Sequence, residues 1–193
     1  PVHLVIVLGI VLMLGGLVAI GRSIRGALAG ALARFGYAAA VLGAAIGLIL
    51  VVLDGVAARQ LAQEWASAST ESRDIALGLV HANETINFAL ASLFNFVFAA
   101  ATFILFGLAV ALSGLYPRWL GLVAAGAGAL SLVAGTIQAS VGEPTDASRV
   151  LTISGPTIIT LWLLVMGVLV LRKAGAVPVR SVVVEAGGGG ERS

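Results

Sequence analysis

The residues of this chain that could do chemistry are a few polar side chains beside long apolar stretches. They comprise two histidines, two carboxylates, two amides and a hydroxyl: His3, Asp54, His81, Glu84, Asn95, Gln138 and Thr157. His81 and Glu84 lie on one face of any helix that contains them, and such a pair can share a metal ion or a proton. Asn95 follows them down the same stripe by helical periodicity. Because polar groups are costly in hydrocarbon, we expect this stripe to face the interior of a bundle.

Most of these side chains should meet at one end of such a bundle. The expected cluster contains His3, Asp54, His81, Glu84, Gln138 and Thr157. It could form a metal or haem site, a proton relay or the polar head of a ligand pocket. Alternatively, these residues are interfacial groups wetted by headgroups and water, and Asn95 forms a hydrogen bond between helices. Asp54 is the best single candidate for function. No cofactor is predicted, and no metal is assigned.

The elements that must position these residues are charge-poor stretches. They cover residues 2–20, 35–53, 86–116, 119–140 and 156–171. About 20 apolar residues at 1.5 Å each cross a ~30 Å hydrocarbon core. The chain is 60% hydrophobic and 10% charged, whereas soluble domains carry about 25% charged residues. The sequence therefore predicts an all-α, polytopic transmembrane bundle of about five spans, none broken by an internal proline.

Two domains are expected from this pattern: the transmembrane bundle at residues 1–173 and a disordered cytoplasmic tail at residues 174–193. The chain begins with Pro1, so we expect a further helix upstream of it. It contains no cysteine, which excludes disulfides, thiolate metal sites and cysteine nucleophiles.

Charges sort to opposite sides of the spans. Eight of the eleven basic residues lie on one side: Arg22, Arg25, Arg34, Arg118, Arg172, Lys173, Arg180 and Arg192. Seven of the nine acidic residues lie on the other: Asp54, Glu64, Glu71, Asp74, Glu84, Glu143 and Asp146. Because basic loops stay in the cytoplasm, we predict a multi-pass protein of the cell (inner) membrane with a cytoplasmic C-terminus. Membrane anchoring explains the basic charge, so no nucleic-acid partner is expected.

Small residues form faces on two of the spans. One face runs through Gly36, Ala40, Gly43 and Gly47, and a second through Gly121, Ala125, Gly128, Ser131 and Gly135. Such faces let helix backbones approach closely. They predict either packing within the chain or binding to a second copy or another membrane protein.

Two connections carry further signals. In the segment Tyr116-Pro117-Arg118-Trp119, the aromatic residues Tyr116 and Trp119 are predicted headgroup-level anchors, and Arg118 can reach lipid phosphate. The longest connection, from Asp54 to about His81, either extends the second span outward or lies along the membrane surface, with a turn at residues 67–72.

Three segments of the chain resemble a known group of proteins. They are the opening HLVIVLGIVLMLGGLVAIGRSIRG, YPRWLGLVAAGAGALSLVAG from Tyr116, and LWLLVMGVLVLRK from Leu161. Together they resemble a group of bacterial multi-pass membrane proteins classed only as a domain of unknown function. A "PRW" loop precedes a Gly/Ala/Leu span in that group. The resemblance implies one more N-terminal helix and no activity.

The chain contains no HExxH, GxSxG, P-loop or dinucleotide-binding fingerprint. We therefore favour a non-enzymatic integral membrane protein that binds a partner or a hydrophobic ligand within the bilayer. An ion- or proton-coupled transporter using Asp54, His81 and Glu84 is the first alternative. A redox or enzyme-complex membrane subunit is the second.

Overall fold

The computed structural model describes residues 2–143 and 145–175, and these form five long helices without a strand. They are α1 (Val2–Ser23), α2 (Ala27–Ser67), α3 (Arg73–Leu112), α4 (Arg118–Val141) and α5 (Asp146–Gly175). All five are long and apolar enough to cross a membrane. The predicted all-α helical bundle is confirmed. The predicted tail at residues 174–193 lies outside the described residues from 176 onward.

The helices run alternately up and down, so the chain's charges mark the two ends of the bundle. We call one end, with Arg22, Arg25, Arg34, Arg118, Arg172 and Lys173, the basic end. The opposite end, which contains Asp54 and the α4–α5 connection, is the acidic end. Because each end gathers the connections between successive helices, residues far apart in sequence meet there.

Helices α2 and α3 are much longer than a membrane is thick. They contain 41 and 40 residues, so each is about 60 Å long, roughly twice the hydrocarbon core. Beyond Asp54 they continue as an antiparallel hairpin with a turn at residues 68–72, where the Arg73 guanidinium lies 5.7 Å from the centre of the Trp65 ring. The connection after Asp54 therefore extends the second span outward, the first of the two predicted alternatives.

Helix α5 begins ten residues before the predicted span. Thr145 and Ser148 cap its start reciprocally: the Ser148 amide donates to Thr145 Oγ1 at 3.1 Å, and the Thr145 amide donates to Ser148 Oγ at 3.0 Å. Pro156, where the predicted span begins, consequently lies inside the helix, and the helix continues through it without a break. The charge-poor stretch at residues 156–171 is only the apolar part of this helix. The helix starts at Asp146 because its first turn is capped there, not because the sequence becomes apolar.

Two wide π-helical turns interrupt α2 and α3, at Leu53–Ala57 and Asn95–Ala101. A wide turn leaves backbone carbonyls with displaced partners. In α3, the Thr102 hydroxyl donates to the Val97 carbonyl at 3.3 Å, and Thr102 is fully buried. The Thr102 hydroxyl thus donates a hydrogen bond to a backbone carbonyl at the point where the π-helical turn returns to α-helix.

The closest helix contact joins α3 to α4 through glycine. A Cβ atom on Gly107 would lie 2.5 Å from the Ala125 nitrogen, and one on Gly121 would lie 2.5 Å from the Ala111 nitrogen. Backbones can approach this closely only because both positions lack a side chain. The small-residue face of α4 therefore packs within the chain.

The small-residue face of α2 receives the aromatic side chains of α3. A Cβ atom on Gly43 would lie 2.5 Å from Phe98 Cβ, and one on Gly36 would lie 2.8 Å from the Phe106 ring. Helix α5 is held by Trp162, whose indole N–H donates to the Leu120 carbonyl of α4 at 2.8 Å. These contacts make α2, α3, α4 and α5 the packed core.

We predict that Gly121→Ala destabilises the protein and that Gly126→Ala does not. Gly126, on the same helix, has no atom within 4 Å of its Cβ position, so alanine there should be neutral or stabilise by about 0.5–1 kcal/mol. At Gly121 the added methyl group meets backbone, and a loss of about 1–3 kcal/mol is expected. Thermal unfolding of both variants in mild detergent measures the difference; equal midpoints would contradict the close α3–α4 contact.

Candidate functional site

The structure brings His3 and Asp54 together at the acidic end. His3 Nε2 lies 3.2 Å from Asp54 Oδ2. Gly55 makes this contact possible, because a Cβ atom there would lie 2.7 Å from the imidazole ring of His3. The side chains of His3 and Asp54 are 40% and 67% exposed, so the pair is open to its surroundings. An exposed pair of this kind contributes little to stability.

Asn95 and Gln138 form a separate, buried contact. Asn95 Nδ2 donates to Gln138 Oε1 at 2.7 Å, and Gln138 Nε2 donates to Thr152 Oγ1 at 3.3 Å. Asn95 is 4% exposed and Gln138 is 7% exposed. This chain of hydrogen bonds links α3, α4 and α5 inside the bundle. Thr152 was missed in the sequence because the fifth span was expected to begin after it.

His81, Glu84 and Thr157 do not join either contact. All three are exposed, and the Thr157 hydroxyl donates to the Ile153 carbonyl of its own helix at 2.7 Å. Near His81 and Glu84 the buried position of α3 is instead Asn83. Helical periodicity places His81 and Glu84 on one face of α3. It does not indicate which neighbouring helix α3 contacts near these two residues, and here that face is exposed.

Asn87 has a buried side-chain oxygen that lacks a hydrogen-bond donor among the described residues. Its Oδ1 atom is buried and accepts no hydrogen bond within the described part of the chain. Among the same residues, no three His, Asp or Glu side chains gather closely enough to hold a metal ion. The predicted polar cluster therefore divides into an exposed pair, a buried amide contact and separate exposed residues.

The predicted interface anchors differ in exposure. Trp119 is 60% exposed and Arg118 is exposed, as an anchor in the headgroup region requires. Tyr116 is buried, and its hydroxyl lies 2.8 Å from Ser23 Oγ. Lys173 Nζ lies 4.2 Å from the centre of the Tyr116 ring, a cation–π distance. Tyr116 thus connects the basic ends of α1 and α5.

A large groove lies between α1 and α2, and we call it the α1–α2 groove. Its volume is about 1020 Å³, and it is lined by Leu17, Val18, Gly21, Arg22, Ile24, Gly30, Ala33, Arg34, Tyr37, Ala38, Val41, Leu42, Ala45 and Phe106. Along α2 it extends from Gly30 to Ala45, about 20 Å at 1.5 Å per residue. It therefore runs from the basic end for roughly the depth of one membrane leaflet.

The groove exists because α1 packs loosely. Helix α1 is the least buried of the five. It contacts the bundle through bulky residues such as Leu17, and Ile24 is buried just beyond its last residue. Across from them α2 offers little side-chain volume at Gly30, Ala33 and Ala38. Large side chains at a contact keep helix axes apart, so small residues beside that contact leave space unfilled.

The polar side chains lie in the half of the groove nearer the basic end. Arg22, Arg34 and Tyr37 line it there, and the remaining lining is apolar. A second groove, of about 420 Å³ between α1 and α5, has no charged residue in its lining. In the sequence, Arg22 and Arg34 indicated only membrane orientation. Their shared position depends on how α1 meets α2, which no local pattern reveals.

No protein-family model matches the chain, and no curated protein or solved structure is significantly similar to it. The resemblance to a bacterial membrane-protein family stays a prediction. The α1–α2 groove and the polar contacts are therefore the features from which a function can be inferred.

We predict that Asn95 and Gln138 are energetically coupled. Gln138→Leu leaves the buried Asn95 amide without its acceptor and should cost about 1–2 kcal/mol, the range for hydrogen bonds between membrane helices. The double variant Asn95→Leu/Gln138→Leu removes both groups, so its loss should be smaller than the sum of the single losses. A double-mutant cycle of unfolding in detergent measures the coupling. Strict additivity would show that the amides do not interact.

Proposed function

We propose that this protein is a non-enzymatic integral membrane protein that binds a hydrophobic ligand within the bilayer, in the α1–α2 groove. The groove itself is the observation that supports this proposal. Its volume of about 1020 Å³ lies at the upper end of the ~300–1,000 Å³ usual for ligand sites. A groove within the apolar part of a membrane protein is accessible to molecules dissolved in the bilayer.

The shape of the groove favours a long and flexible ligand. It follows α2 for about 20 Å, and the walls beyond Tyr37 consist of Ala38, Val41, Leu42 and Ala45. Walls of this kind offer dispersion contacts and no hydrogen-bonding partner. A ligand with an extended hydrocarbon portion would fill it without burying an unsatisfied polar group.

The proposed orientation places the basic end in the cytoplasm, following the distribution of arginine and lysine. The protein would then be a multi-pass protein of the inner membrane with a cytoplasmic C-terminus, and the groove would open to the cytoplasmic leaflet. Binding to a second copy or another membrane protein through Gly/Ala faces stays a prediction. It has less support, because the small-residue faces of α2 and α4 already contact other helices of the chain.

Proton- or ion-coupled transport is the second candidate, and the contact between His3 and Asp54 at 3.2 Å favours it. It has less support than ligand binding, because His81 and Glu84 lie exposed away from that contact. Solute flux in proteoliposomes with and without Asp54→Asn tests it: a pH-dependent flux lost in the variant would favour transport. The redox or enzyme-complex subunit stays a prediction without a supporting contact.

We predict that filling the groove abolishes ligand binding. Gly30→Leu/Ala38→Phe adds bulk on the α2 wall, and the Gly30 Cβ position has no atom within 4 Å, so the fold should tolerate the change. Native mass spectrometry in mild detergent should show a bound lipid-like mass on the unmodified protein and its loss from the variant. The control is Gly126→Leu, which makes the same glycine-to-leucine change at an exposed position of α4 and should keep the bound mass.

Retention of the bound mass by Gly30→Leu/Ala38→Phe would contradict the proposal that the groove is the binding site. A protein that carries no bound mass, even after incubation with lipid, would contradict the proposed function itself. Far-UV circular dichroism confirms that each variant remains helical.

A further inference from the structure

We infer that the α1–α2 groove binds an anionic phospholipid, with its phosphate between Arg22 and Arg34 and its acyl chains along α2 toward Ala45. This inference rests on the proposed function and names the class of ligand. It comes from the charge and shape of the groove, whose positive end lies where a lipid headgroup would lie and whose apolar length matches one leaflet.

Arg22 and Arg34 have no protein counter-charge in the described part of the chain. The one ion pair among the described residues joins His3 and Asp54, and no side-chain hydrogen bond of Arg22 or Arg34 is present there. The carboxylates among the described residues, from Asp54 to Asp146, were assigned to the acidic side of the spans, opposite the two arginines. Arg22 and Arg34 line the same groove and both are exposed, so their guanidinium groups are accessible to an anion bound there.

A phosphate diester fits these donors chemically. A guanidinium group donates two parallel hydrogen bonds to phosphate oxygens, so two arginines can bind opposite sides of one phosphate. The Tyr37 hydroxyl, further along the groove, can donate to a glycerol ester oxygen. A single carboxylate would satisfy one guanidinium and leave the other without a partner, so a phospholipid fits better than a fatty acid.

Basic residues near a membrane surface are expected in any membrane protein. The two arginines of the groove must therefore be compared with arginines at the same end of the bundle that lie outside it. Arg25 and Arg118 belong to the basic end, yet neither lines the groove. They experience the same anionic headgroups as Arg22 and Arg34. A preference that depends on Arg22 and Arg34 and is independent of Arg25 and Arg118 therefore identifies a site, whereas equal dependence identifies general surface attraction.

The experiment measures lipid binding to the full chain by native mass spectrometry. The protein in mild detergent is mixed with equal amounts of dioleoyl-phosphatidylglycerol and dioleoyl-phosphatidylcholine, which share the same acyl chains. We expect one retained phosphatidylglycerol per chain, with a preference over phosphatidylcholine of about 10- to 30-fold, as two arginines near a phosphate would give.

Arg22→Gln/Arg34→Gln should abolish this preference, and Arg25→Gln/Arg118→Gln, which removes the same charge, should preserve it. The single variants Arg22→Gln and Arg34→Gln should each lower the preference about 5-fold, which keeps the test decisive if the double variant does not fold. Arg22→Lys/Arg34→Lys retains charge and should keep part of the preference.

Equal losses in the two double variants would overturn the inference. So would a dimer that carries no lipid, because the groove would then be covered by a second copy. If neither double variant shows a preference but Gly30→Leu/Ala38→Phe still removes bound lipid, the inference fails while the proposed function stands. If filling the groove has no effect on lipid binding, both fail.

Discussion

The architecture depends on how closely the backbones of α3 and α4 can approach. In hydrocarbon, packing one apolar side chain against another gains little, because lipid tails are equally apolar. Gly107 and Gly121 remove the side chains at the crossing, and the two helices meet backbone to backbone. Van der Waals contact at this distance, with the Asn95–Gln138 hydrogen bond and the Trp162 indole bond to α4, holds α3, α4 and α5 as one unit.

Helix α1 is bound differently, and the groove follows from that difference. It presents Leu17 to the bundle, and Ile24 is buried just beyond its end. These side chains prevent the close approach that glycine allows elsewhere. Space remains along the small residues of α2, and the ends of both helices place Arg22 and Arg34 beside it. The least buried helix thus forms one wall of a groove that combines a large volume with two arginines.

Sequence reasoning identified several polar residues of the site region and misplaced others relative to their neighbours. Asn95 and Gln138 do meet, and Gly135, on the small-residue face of α4, lies against Asn95. His81 and Glu84 lie on the stripe that periodicity defined, yet they are exposed. Above the height of Asp54, α3 has only the extended α2 beside it, so its buried side there differs from the side that faces α4. Thr152 was missed because Thr145 and Ser148, rather than hydropathy, start α5.

The sequence by itself determined that the chain forms apolar helices long enough to cross a membrane and that its charges divide between two ends. Both are properties of single segments, because the transfer of a helix into hydrocarbon depends on its own side chains and its own backbone hydrogen bonds. Only the tertiary structure decided that Arg22 and Arg34 share one groove, that Gly55 accommodates His3 and that Tyr116 turns inward. These arrangements depend on distances between helices far apart in sequence, which the sizes of the side chains at every crossing set together.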